Sequence, residues 1–134
     1  MVSYQEIAVS TKKRCHWVDI TADVNRAIGQ SKINRGTCLV SSLHTTAGVT
    51  INENADPDVE RDFFWKLNGL VPQEAGYLHA EGNSDSHLKT SLVGLSVQAP
   101  VQNGRAVLGT WQSIYFCEFD GPRSRRVSVT VVGE

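Results

Sequence analysis

The residues of this sequence best suited to chemistry are its four histidines, His16, His44, His79 and His87. His44 closes an apolar run and begins the segment His44-Thr45-Thr46-Ala47-Gly48. The end of a strand is where a sheet commonly presents side chains to a site. His79 and His87 flank a polar stretch. Neutral imidazole is a good ligand for zinc and related metals, and three such ligands leave a coordination position open for water or substrate. His44, His79 and His87 are therefore candidate metal ligands, although their spacing matches no short zinc motif such as HExxH. The alternative is that they are polar loop residues bonded to nearby carboxylates. His16 sits inside an alternating run and reads as structural.

Glu53, Asp56, Glu81, Asp85 and Glu118 lie near expected strand ends or loops. Glu81 and Asp85 each stand two residues from a histidine, where a carboxylate could orient an imidazole or act as acid or base. For Asp56 a helix cap is the better single explanation. Lys89 follows His87 by two and could stabilise an anionic group. In Gly109-Thr110-Trp111-Gln112, glycine permits close backbone approach, tryptophan supplies a flat wall, and glutamine donates and accepts. That suits a planar ligand. Strand bending with core packing explains it equally well.

The elements that would position these groups alternate between two periods. Residues 3–10 and 14–20 alternate as strands, with a turn at Lys12-Lys13, and read as an antiparallel hairpin. A short helix opens at Thr21, the expected cap, with Val24, Ala27 and Ile28 on one stripe and Gly29 as the stop. Gly36 to Leu43 reads as a strand, with Val49 to Ile51 as its return partner. Residues 56–68 give the clearest helix: Asp56 caps it, Pro57 suits its first turn, Val59, Phe63 and Leu67 line one face, and Gly69 ends it. After the loop from Pro72 to Ser86, a short helix reaches Leu92 or Val93. Alternating strands follow, with Asn103-Gly104 as a two-residue hairpin turn and Val127, Val129 and Val131 in the last strand.

One domain, residues 1–134, is the natural reading of a chain of 134 residues with 40 % apolar and 20 % charged content. No apolar run approaches the ~20 residues of a spanning helix. Thirteen basic against fourteen acidic residues give a net charge of −1, which argues against nucleic acid as partner. The clusters Arg123, Arg125, Arg126 and Lys12, Lys13, Arg14 read as solvated turns. Cys15, Cys38 and Cys117 are odd in number and form no CxxC. With no leader segment before the first strand-like run, that is the expectation for free thiols in a reducing cytoplasm.

Across essentially its whole length the sequence resembles the YjbQ-like family. The resemblance is carried by His44-Thr45-Thr46-Ala47, by Asn52-Glu53-Asn54-Ala55-Asp56-Pro57-Asp58-Val59, by His87-Leu88-Lys89, and by Asn103-Gly104 leading to Gly109-Thr110-Trp111-Gln112. Cys117-Glu118 and Arg125-Arg126 before the valine-rich strand also fit. It implies an α+β fold with antiparallel, sandwich-like sheets and two to three short helices, assembled as a homotrimer. It also implies a divalent metal, zinc by ligand type, on His44, His79 and His87, and weak thiamine-phosphate synthase activity. In that reaction a thiazole nitrogen displaces pyrophosphate from a pyrimidine methylene carbon. His87, Lys89, Glu81 and Glu118 are the expected catalytic groups. Trp111, Gln112, Asn52 and Arg126 are the expected contacts to a phosphorylated small molecule. A non-catalytic module that binds a metal or small ligand is the competing expectation.

Overall fold

The computed structural model describes residues 1–134. Two antiparallel sheets face each other. Strands β1 (Val2–Ser10), β8 (Ser124–Gly133), β3 (Gly36–Ser42), β5 (Ser96–Gln102) and β6 (Arg105–Ala106) form a five-stranded sheet in that order, and β2 (His16–Asp19), β7 (Gln112–Glu118) and β4 (Ala47–Glu53) form a three-stranded one. The alternation read from the sequence sets the facing sides. Cys38 pairs with Val131 and Ala99, and Val40 with Val129 and Val97, so one side of the larger sheet is apolar. Val49 opposite Phe116 and Ile51 opposite Ile114 supply the other wall. Helix α1 (Thr21–Ser31) adds Val24, Ala27 and Ile28 to the same core.

The expected hairpins join differently. β1 pairs with β8, not with β2, because the segment between them carries the chain from one sheet to the other. The Thr11 N–H bonds to the Arg123 carbonyl at 3.0 Å, so β1 is tied to the C-terminal strand up to this crossing. β3 and β4 likewise belong to different sheets. Past the Asn103-Gly104 turn, where both residues take positive φ, the return strand breaks into β6 and β7, one in each sheet. Thr21 does not cap α1: its hydroxyl accepts the Ile114 N–H at 2.8 Å, and α1 runs through Gly29 to end at Lys32 in a left-handed conformation.

Helix α2 (Pro57–Leu70) is capped as its sequence indicates, the Asp56 carboxylate accepting the Asp58 N–H at 2.9 Å. It packs Phe63 and Phe64 over Trp17, Tyr115, Cys117 and Phe119 on the outer side of the smaller sheet. Helix α3 (Ser84–Val93) ends against β4, where a Cβ on Gly48 would come within 2.4 Å of the Gly94 carbonyl oxygen. That approach admits only glycine and brings the last turn of α3 to the start of β4. The outer face of the larger sheet carries exposed Val2, Tyr4, Leu39 and Val132. No helix of the chain is long and apolar enough to cross a membrane.

Candidate functional site

Helix α3 is held down by polar groups rather than by an apolar stripe. Leu88 and Leu92 are exposed, whereas Asp85, Ser86, Lys89 and Thr90 are buried. Asp85 accepts from Lys89 Nζ at 2.6 Å, one turn along, and from Arg14 at 3.0 and 3.3 Å. The Ser86 hydroxyl donates to the Phe119 carbonyl at 2.6 Å, and the Asn83 amide donates to Asp120 at 2.7 Å. Burial pushes the Asp85 carboxyl up. The Arg14 and Lys89 hydrogen bonds outweigh that and hold it below the usual carboxylate range.

Beside this network lies a second buried ion pair. Glu118 accepts from Arg125 Nε at 2.8 Å, from Arg125 Nη2, from the Thr11 hydroxyl at 2.7 Å, and from the N–H groups of Phe119 and Asp120, each at 3.1 Å. Burial raises this carboxyl as well, but the bonds from Arg125 and Thr11 leave it net lowered. Its oxygens are fully committed.

The other side of α3 borders a cavity of about 510 Å³, lined by Thr45, His87, Thr90, Ser91, Gly94 and Leu95. Ser91 Oγ donates to the His87 carbonyl at 3.2 Å, which leaves its lone pairs free. Thr90 Oγ1 is buried with no hydrogen-bond partner in the chain. The His87 ring meets His79 edge-on with centroids 5.2 Å apart, and Glu81 Oε2 lies 3.9 Å from His79 Nε2.

The structure therefore brings together His79, His87 and Glu81. It does not bring His44 to them as a third ligand. His44 Nε2 accepts the Arg126 N–H at 2.8 Å, which uses the lone pair a metal would need. Burial, and then Arg125, lower its pKa and keep the ring a neutral acceptor. No three His, Cys, Asp or Glu side chains of one chain cluster closely enough to hold a metal ion. The three-histidine set does not form within a single chain.

Lys89 and Glu118, expected to act on substrate, are instead interior ion-pair members, 1 % and 0 % exposed. Neither lines the cavity beside His87; each holds neighbouring elements in place. Trp111 and Gln112 lie near the far end of β4, where the Asn54 N–H bonds to the Trp111 carbonyl and Gln112 Oε1 accepts the Gly109 N–H. A seven-residue strand separates its ends by roughly 20 Å, so these two side chains do not share the His87 cavity. Arg126 pairs with Glu6 at 2.9 Å on the open face of the larger sheet, and the Asn52 side chain accepts the Glu53 N–H at 2.7 Å. Thr45, Thr90 and Ser91 went unread. The signal for two of them was present: Thr90 and Ser91 follow His87 by three and four residues on a helix, the spacing that shares a face.

Two facing sheets with a cavity beside a polar-docked helix define a small α+β protein. The particular family follows from comparison. Residues 5–134 match the sequence profile described as UPF0047 protein YjbQ-like, and the chain belongs to that family. A UPF0047 protein of Methanocaldococcus jannaschii is 48 % identical over 126 residues, 94 % of this chain and 91 % of that protein. The UPF0047 protein YugU of Bacillus subtilis is 46 % identical over 128 residues, 95 % of this chain and 97 % of that protein. Among solved structures, a YjbQ-like protein from Sulfolobus solfataricus superimposes with a TM-score of 0.95 at 33 % identity. It covers 100 % of this chain and 99 % of that one. A family member from Clostridium acetobutylicum gives 0.93 at 48 % identity, covering 96 % and 99 % respectively.

Proposed function

We propose that the cavity beside His87 is the working site of an enzyme on phosphorylated small molecules, with weak thiamine-phosphate synthase activity. The observation that carries this is the cavity at the last turns of α3, which sets His87 beside the hydroxyl-bearing Thr45 and Ser91. In the reaction a thiazole nitrogen forms a bond to a pyrimidine methylene carbon while the carbon–oxygen bond to pyrophosphate breaks. The nitrogen brings its own electron pair, so no strong base is required. That suits a site whose two buried carboxylates, Asp85 and Glu118, are already committed to cations. Thr45 and Ser91 offer hydroxyls to departing oxygens, and His87 can hold a proton there.

A divalent metal, zinc by ligand chemistry, belongs to this reading on His79 and His87, where it would supply positive charge to a leaving group. Two imidazoles make an incomplete zinc site, and a homotrimer belongs to the same reading. The competing reading, a non-catalytic binding module, is favoured by one observation: Lys89 and Glu118 are locked in ion pairs and unavailable for acid–base work. Zinc titration of the purified chain tests the metal part. We expect saturable binding that His79→Ala and His87→Ala each abolish, with a light-scattering mass three times that of the 14.7 kDa chain. Zinc affinity unchanged by either substitution removes the metal from this reading, and a monomer mass removes the trimer.

A further inference from the structure

Helix α3 lacks the apolar stripe that usually seats a helix, since Leu88 and Leu92 face solvent. Its rotation about its own axis is set by directional polar bonds at its start. Arg14, on the segment that crosses between the sheets, reaches Asp85 with both arms of its guanidinium: Nη2 donates to Oδ1 at 3.0 Å and Nη1 to Oδ2 at 3.3 Å. Nη2 also lies 3.4 Å from the Ser86 hydroxyl. The turn after β7 supplies the other anchors, with the Phe119 carbonyl accepting from Ser86 and the Asp120 carboxylate from Asn83. Crossing and turn form one block. The Gly121 N–H donates to the Arg14 carbonyl at 3.0 Å, and a Cβ on Gly121 would come within 2.4 Å of the Lys13 carbonyl oxygen.

Lys89 cannot fix that rotation. It sits on α3 itself, four residues from Asp85, so its 2.6 Å bond turns with the helix. Arg14 is the cation that reaches Asp85 from outside α3. A planar fork meeting a carboxylate at two points fixes angle as well as distance, which an ammonium meeting it at one point does not. The angle matters at His87, two residues along α3 from Asp85. A ring held roughly 5–6 Å from a helix axis moves about 2 Å when the helix turns by about 20°. The contact at stake is the edge-on approach of His87 to His79, with centroids 5.2 Å apart. The loop that carries His79 is closed on itself: Gln73 Nε2 donates to the Gly82 carbonyl at 3.2 Å and the Tyr77 hydroxyl to the Pro72 carbonyl at 2.5 Å. Its own bonds, not Arg14, shape it.

We infer that Arg14 is the positioning residue for His87: its fork on Asp85 fixes the rotation of α3 and thereby aims the His87 ring at His79 and the cavity. Arg14 does not line that cavity, so it acts through the helix and not on a substrate. The assignment rests on the reading of His87 as the group at work there and adds how that group is aimed.

The test compares the full wild-type chain with Arg14→Met and Arg14→Lys. Asp85 keeps Lys89 in both variants, so no buried charge is stranded and both should fold, which their urea midpoints check. The readout is the nuclear Overhauser cross-peak between the ring protons of His79 and His87. Wild type should show it and Arg14→Met should lose it. Arg14→Lys, which restores the charge without the fork, should not bring it back. Thiamine-phosphate synthesis, measured alongside, should fall by about tenfold or more in both variants, with the loss in kcat rather than KM. An unchanged cross-peak in either variant, its absence from wild type, or its loss with kcat unchanged overturns the assignment. A cross-peak that behaves as expected in a wild-type chain with no synthesis upholds the aiming of His87 by Arg14 and overturns only the catalytic reading of the cavity.

Discussion

Replacing Glu118 with alanine should cost about 3–5 kcal/mol of stability, because it strands a buried guanidinium. Arg125 is 5 % exposed, and besides Glu118 its main partner is the Thr46 hydroxyl at 2.9 Å. Glu118 also receives the Thr11 hydroxyl and two backbone N–H groups at the turn after β7. Its removal therefore undoes the joint between β1, β7 and β8 at one point. Against a total of about 5–15 kcal/mol for an ordinary domain, the loss is large. Glu118→Gln keeps an acceptor and should lose less. Urea unfolding reads both: the midpoint should fall sharply for alanine with little change in slope. A loss under about 1 kcal/mol would show that water, not Glu118, carries Arg125.

Asp85→Ala should be as damaging for a related reason, with a distinct rescue. It leaves Lys89, 1 % exposed, with an unpaired charge or a proton it must give up. The expected cost is again about 3–5 kcal/mol. Adding Lys89→Met removes the stranded charge while keeping an apolar side chain of similar length, so the double variant should recover most of the loss. If the double variant is no better than the single one, the damage comes from Arg14 and the docking of α3 rather than from Lys89. Both carboxyls also set the acid limit. Their folded pKa values lie below the unfolded references of 3.8 for Asp85 and 4.5 for Glu118. The stabilisation is therefore complete above those references and is lost as pH falls through the lower folded values.

These two ion pairs explain how far the sequence could be read. The alternating strands announced themselves, because Val127, Val129 and Val131 face a core that only apolar side chains fill. So did α2, whose cap and Val59–Phe63–Leu67 stripe are local features. Strand partners were not legible: whether β2 meets β1 or β7 depends on a crossing between sheets that no short window records. Helix α3 inverted the usual pattern. Its leucines face out and its lysine and aspartate face in, because Arg14, 71 residues from Asp85 in sequence, supplies the compensating charge. Reading Lys89 as a catalytic group followed from its place two residues after His87. Burial on the opposite side of the helix from the cavity is a tertiary fact. The spacing of His79 and His87 left their approach open, while the turn of His44 toward Arg126 depends on β8, far along the chain.

The central claim is that the cavity beside His87 performs chemistry, and one assay tests it most directly. Thiamine phosphate formed from a pyrimidine methyl pyrophosphate and a thiazole phosphate should be measured with the wild-type chain, with His87→Ala, and with no protein. Both proteins are first shown to have the same unfolding midpoint. The account predicts wild-type synthesis above the protein-free rate and a fall of about tenfold or more toward that rate in His87→Ala, the scale expected when a positioned proton-holding group is lost. Equal rates for wild type and His87→Ala would contradict it and leave the cavity as a binding site without chemistry.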